Sequence, residues 1–176
     1  YEKRSPQMRS AAISGVLAKT LESVMRSHSR RPRRSRRRLP VRTLGKTGQK
    51  VTVLGFGCMT TSDPSVIEQA ADAGITYFDT ARGYQNGNNE RMVGAALKGR
   101  RDKITLSSKT PAKTKADALA NLDKSLSELQ TDHLDIWYLH SRQPAAPVHR
   151  EPFDTHDEPV KAGKIRFRGV SFHGGH

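Results

Sequence analysis

The chain has 176 residues, of which 34% are hydrophobic, with a formal net charge of +14 and one cysteine; this length suits one domain. The single cysteine, Cys58, excludes an intrachain disulfide and a multi-cysteine metal site, and no apolar run approaches the roughly 20 residues needed to cross a bilayer. The charge is uneven: residues 1–43 hold 13 Lys+Arg against two acids, a net of +11 out of the +14, so the rest of the chain is nearly neutral.

In chain order, the first segment is the basic one. Arg30, Arg31, Arg33, Arg34, Arg36, Arg37 and Arg38 form one run with no aromatic among them. Such a run repels itself and predicts a disordered basic tail or non-native extension over residues 1–40, set apart from a folded body at 41–176. It can bind phosphates without sequence preference, so a nucleic-acid-binding protein stands as one alternative, although no specific nucleic-acid recognition is expected. The short stretch Ala11–Ala18 makes a poor secretory signal, because dense charge follows it. The expected location is cytoplasmic, without membrane attachment; an Arg- and Ser-rich, acid-poor start leaves organelle targeting as the alternative.

From Val41 the texture changes. Val41–Leu44 and Lys50–Leu54 flank Gly45-Lys46-Thr47-Gly48, which predicts a β-hairpin. A first barrel or sheet strand is expected at Val51–Leu54. A helix is expected from Ser62-Asp63-Pro64, a polar cap followed by Pro, with Val66, Ile67, Ala70 and Ala71 as its apolar face and Gly74 as its stop. Ile75–Phe78 reads as a strand, Asn89–Leu97 as a helix and Ile104–Ser107 as a strand. Thr114–Leu129 is the clearest helix: Thr114 and Asp117 have capping-box spacing, and Leu119, Leu122, Leu126 and Leu129 follow a helical period. Asp135–Leu139 and Ile165–Phe172 are the last strands. Five strands starting near 51, 75, 104, 135 and 165 and alternating with helices imply βαβ units and a parallel sheet. Right-handed crossovers then allow a doubly wound sheet or a barrel.

Three short patterns fail on context. Gly45-Lys46-Thr47 looks like the end of a phosphate-binding loop, but Pro40 stands where that motif needs Gly, and the residues lie in a hairpin. Gly55-Phe56-Gly57 begins like a dinucleotide fingerprint, but Thr60 stands where the third Gly belongs. His173 and His176 have no acidic or thiol ligand near them in sequence to complete a metal site.

The chemistry sits at the strand ends. Phe78-Asp79-Thr80-Ala81 closes the second strand with Tyr84 in its loop, Ser107-Ser108-Lys109-Thr110 closes the third, and Tyr138-Leu139-His140-Ser141 closes the fourth. In a parallel barrel these ends converge on one face. Asp79, Tyr84, Lys109 and His140 are therefore the candidate catalytic set. Taken singly, each has a plainer role as a helix cap, rim residue, surface charge or core histidine.

The same residues resemble the aldo-keto reductase family. Phe78-Asp79-Thr80-Ala81, Tyr84 and Asn89-Glu90 are similar to its motif with Asp and Tyr five residues apart, and Ser108-Lys109-Thr110 and Leu139-His140-Ser141 to its Lys and His segments. Arg42–Gly48, Val53–Met59, Gly163–Arg166 and Gly169–Ser171 resemble its hairpin, first strand and fifth-strand region. The resemblance implies a (β/α)8 TIM barrel of which these residues supply about five of eight βα units, an incomplete barrel with a short N-terminal hairpin.

It also implies reduction of aldehydes or ketones, small carbonyl substrates, by hydride transfer from NADP(H) rather than NAD(H), with no metal. The implied roles are Tyr84 as general acid, Lys109 assisting it, Asp79 holding Lys109, and His140 orienting the carbonyl oxygen. The implied cofactor contacts are Gly57, Cys58, Met59, Asp79 and Ser171, with Phe172 where many members have Asn. An aldo-keto-reductase-like subunit that binds cofactor without turnover is the second alternative. Pro144, Pro147, Pro152 and Pro159 between the last two strands predict a short or distorted fourth crossover helix.

Overall fold

The computed structural model describes residues 38–142 and 155–172, with 141 and 142 placed by backbone alone. The arginines before Arg38, the Ala11–Ala18 stretch, His173, His176 and Pro144, Pro147 and Pro152 lie outside the described residues. Among those described, no helix is long and apolar enough to cross a membrane.

β1 (Val41–Thr43) and β2 (Lys50–Thr52) pair antiparallel around a 3-10 turn at Gly45–Thr47. This is the expected hairpin, and the Gly45-Lys46-Thr47 triplet is its turn. Of the strand expected at Val51–Leu54, Val51 and Thr52 belong to this hairpin instead, and Val53 and Leu54 lie beyond it. The Thr52 amide donates to Thr76 Oγ1 at 2.9 Å, and the Thr76 amide donates back to Thr52 Oγ1 at 3.0 Å. With Thr52 so held, the first strand of the main sheet is the two-residue β3, Phe56–Gly57.

The main sheet has five parallel strands in the order β3, β4 (Tyr77–Asp79), β5 (Thr105–Thr110), β6 (Leu134–Arg142) and β7 (Ile165–Phe172). Chain order equals sheet order, as in successive strands of a (β/α)8 barrel. The crossovers carry α1 (Pro64–Asp72), α2 (Asn88–Ala96), α3 (Lys115–Leu129) and α4 (Asp157–Lys161).

Local chemistry sets the helix ends. The Asp63 carboxylate accepts from the Ser65 amide at 2.8 Å, Pro64 takes the first helical position, and Gly74 turns the chain out of α1 with φ +97°. Thr114 Oγ1 accepts from the Asp117 amide at 3.2 Å and donates to the Asp117 carboxylate at 2.7 Å, so the expected capping pair forms. Pro159 sits in the first turn of α4 rather than its interior, where the backbone N–H has no helical partner to lose.

Ile67 and Ala70 of α1, Val93 and Ala96 of α2, and Leu122, Leu126 and Leu129 of α3 are buried in one core with Phe78, Leu106, Leu134 and Trp137 of the strands. Val66, expected on the apolar face of α1, is exposed, and Leu119 of α3 is only half-buried. Strand alternation turns Phe78, Leu106 and Trp137 outward to the helices and leaves Tyr77, Asp79, Ser107, Lys109, Tyr138 and His140 on the opposite face. At the lower end, buried Asp135 ties three strands together. It accepts from the Leu106 amide at 2.9 Å, and it pairs with Arg101 at 2.8 Å and with Arg166 at 2.9 Å.

Candidate active site

The parallel register sets Gly57 beside Asp79 and Lys109 beside Tyr138. Two residues further along β6, His140 reaches the same rim. Tyr84 arrives from the loop after β4, in a 3-10 turn over Tyr84–Gly87. The four candidate catalytic residues meet in space.

Lys109 is the centre of the group. Its buried ammonium donates to Asp79 Oδ2 at 2.5 Å, to the Thr80 carbonyl at 2.8 Å and to Tyr84 Oη at 3.3 Å. An ammonium has three N–H donors, and all three are used, so the charge is fixed in place. It also lies 4.9 Å from the centroid of the Tyr84 ring. The Tyr84 and His140 rings meet edge to face with centroids 5.7 Å apart. Tyr84 Oη accepts from Lys109, so its own proton is free to be donated elsewhere.

The turn bearing Tyr84 is braced from behind. Thr80 Oγ1 donates to Asn89 Oδ1 at 2.6 Å, and Asn89 Nδ2 donates to the Cys58 carbonyl at 2.9 Å. Glu90, fully buried, accepts from Ser108 Oγ at 2.6 Å and pairs with Arg82 at 2.6 Å. Burial pushes the Glu90 carboxyl above the ordinary value, opposed by hydrogen bonds from Ser108 and Ser125 and by the Arg82 charge. Gln85 and Asn86 take left-handed conformations with φ +50° and +54°, an uncommon state for non-glycine residues. The Gln85 amide donates to the Thr61 carbonyl at 2.7 Å and to the Met59 carbonyl at 3.4 Å, joining this turn to the loop after β3.

The expected cofactor contacts divide by exposure. Gly57 and Met59 are exposed, and Asp79 and Ser171 are half-buried. Cys58 is fully buried, and its backbone is engaged by Asp79 and Asn89. Its side chain cannot touch a ligand on the rim. Ser171 follows Val170, the β7 partner of Leu139, which places it at the same end of the sheet.

Sequence reasoning passed over three residues on the site's face. Ser107 Oγ donates to Asp79 Oδ1 at 2.6 Å, Tyr77 Oη lies 3.2 Å from Ser107 Oγ, and Tyr138 Oη lies 3.4 Å from Tyr77 Oη. The available signal was period-two spacing: Tyr77, Ser107 and Tyr138 each precede a candidate site residue by two positions.

A family model described as the aldo/keto reductase family matches residues 54–175. The chain belongs to this family. Among solved structures it is similar to the holo form of aldo-keto reductase AKR11C1 from Bacillus halodurans, with TM-score 0.69 and 34% identity over 76% of this chain and 50% of that one. An aldo/keto reductase from Klebsiella pneumoniae in complex with NADP and acetate matches with TM-score 0.62 and 32% identity, over 72% and 48%. Aldo-keto reductase YhdN of Bacillus subtilis is 39% identical over 117 residues, 60% of this chain and 35% of the relative. The chain spans about half the length or less of the curated relatives it matches.

Proposed function

We propose that the protein is an NAD(P)H-dependent reductase that converts aldehydes or ketones to alcohols, with NADP(H) preferred over NAD(H). The observation that carries this reading is the Lys109 ammonium, held by Asp79 and Thr80 and directed at Tyr84 Oη. Family membership, and a Klebsiella relative held with NADP, support it.

An ordinary tyrosine holds its proton too tightly for ready transfer near neutrality, and a neighbouring ammonium favours the phenolate that remains after transfer. Tyr84 donates its proton to the substrate carbonyl oxygen. Lys109 stabilises the charge left behind, and Asp79 keeps Lys109 in place. His140, packed edge-on against Tyr84, directs the carbonyl oxygen to the same point. The rim fits a nicotinamide: Gly57 stands beside Asp79 with open space where a Cβ would project, so a flat ring can approach the backbone there. Gly57, Met59, Asp79 and Ser171 would hold the group, and Cys58 would act only by fixing the backbone between Gly57 and Met59. When bound, the cofactor supplies a hydride to the carbonyl carbon.

The experiment is a comparison of the protein with its Tyr84→Phe variant over a panel of aldehydes and ketones, following NADPH oxidation, with cofactor binding measured separately. We expect the variant to bind NADPH and to lose at least about 10²-fold in kcat. Equal rates in the two proteins would remove Tyr84 from the proton step. Cofactor binding with no carbonyl reduced by either would favour the cofactor-binding subunit without turnover.

A further inference from the structure

We propose that Ser107 is a positioning residue for Asp79, and that Tyr77 and Tyr138 stand behind it in a one-way chain of hydroxyl donors beneath the site. The inference rests on the preceding reading of Asp79 as the residue that holds Lys109.

The direction of the chain follows from donor counting. A serine hydroxyl has one proton, and the short 2.6 Å contact places that of Ser107 on Asp79 Oδ1. At 3.2 Å, Ser107 Oγ can then only accept from Tyr77. Tyr77 has thereby used its own proton, so at 3.4 Å its oxygen accepts from Tyr138. Three O–H dipoles in series point at one carboxylate oxygen, and hydrogen bonds in series polarise one another. Burial raises the Tyr77 phenol well above the ordinary tyrosine value, opposed by its contact with Ser107.

The two carboxylate oxygens of Asp79 therefore have different partners, Oδ1 taking Ser107 and Oδ2 taking Lys109. With both engaged, the carboxylate cannot rotate about its terminal bond without losing a charge-assisted hydrogen bond. Removing Ser107 frees that rotation, and with it the position of the ammonium at Tyr84.

Two glycines make room for the chain. A Cβ at Gly55 would lie 2.8 Å from Tyr77 Cδ1, and one at Gly169 would run into the Tyr138 ring. Each tyrosine ring thus lies across a glycine on the neighbouring segment, while the Tyr77 hydroxyl reaches Ser107 and the Tyr138 hydroxyl reaches Tyr77. Taken in sheet order, the residues of this chain and the glycines beside it are Gly55, Tyr77, Ser107, Tyr138 and Gly169. Small and large residues alternate in that order, one of the ways a barrel interior is filled.

The test uses the full chain with Asp carboxyl groups labelled with carbon-13, the Asp79 resonance being identified by its loss in Asp79→Asn. Ser107→Ala and the isosteric Tyr77→Phe and Tyr138→Phe are compared with the unsubstituted protein at neutral pH, and kcat and KM are measured on the same samples. We expect the Asp79 resonance to move most in Ser107→Ala, less in Tyr77→Phe and least in Tyr138→Phe. In Ser107→Ala we expect kcat to fall about tenfold, the size of one hydrogen bond to a charged group, with KM within about twofold. A resonance unmoved in both Ser107→Ala and Tyr77→Phe overturns the proposal. So does a moved resonance with kcat unchanged. If Ser107→Ala does not fold, the Tyr77→Phe resonance decides the matter alone. If the resonance moves but no protein reduces any carbonyl, Ser107 still positions Asp79 and the reductase reading falls instead.

Discussion

Arg82 Nη1 lies 2.6 Å from Glu90 Oε2 behind the turn that presents Tyr84. Glu90 is wholly buried and the Arg82 side chain nearly so, and a second Arg82 nitrogen donates to the Gly87 carbonyl at 3.0 Å. Removing one partner of a buried pair strands the other, so Glu90→Ala is expected to lower unfolding stability by about 3–5 kcal/mol. The pH dependence has a definite sign. The folded state holds the Glu90 proton more tightly than the unfolded chain does. Its stabilising share is complete below the ordinary glutamate range and is lost as pH rises through the raised value. Thermal melts of the protein and of Glu90→Gln across the acid-to-neutral range check this. The melting temperature of the unsubstituted protein should decline relative to the variant as pH rises; a constant offset, or one that shifts in favour of the unsubstituted protein, would sink the idea.

Cys58 carries a buried thiol whose ionisation is suppressed by that burial and by the Asp79 charge, which push it up to about 12. The thiolate is the reactive form. In native protein an aromatic disulfide reagent is expected to leave Cys58 unmodified through pH about 9, and to titrate one thiol once denaturant is added. Rapid modification of the native state would show that the loop after β3 opens readily.

Gly94 marks the closest approach of α2 to α3. A Cβ there would stand 2.7 Å from the backbone of Leu129, and no side chain can swing aside to relieve it. Helix propensity favours alanine by about 1 kcal/mol, and overpacking costs typically about 1–3 kcal/mol or more. Gly94→Ala is therefore expected to lower the urea midpoint. Gly83→Ala, with nothing within 4 Å of the added carbon, should leave it nearly unchanged. Equal midpoints for the two variants would contradict the close helix contact.

Much of the fold was legible because it is encoded locally. The Asp63 cap, Pro64 and the Gly74 stop specify α1 within a dozen residues, and Thr114 with Asp117 specifies the start of α3 in the same way. The first strand was misplaced because Val51–Leu54 is as good a strand sequence as Phe56–Gly57. What separates them is the reciprocal Thr52–Thr76 pairing across 24 positions, which no local pattern reports.

The candidate site divides along the same line. The sequence by itself determined the alternation of strands and helices, the presence of Asp79, Tyr84, Lys109 and His140 at or just after strand ends, and the family, because residue type and spacing are local properties. Only the tertiary structure decided that the three donors of Lys109 are all taken, that Cys58 turns away from the rim, and that Ser107 backs Asp79. Those facts depend on parallel register between strands about 30 residues apart. A shift of one residue in that register would turn every one of these side chains to the other face of the sheet.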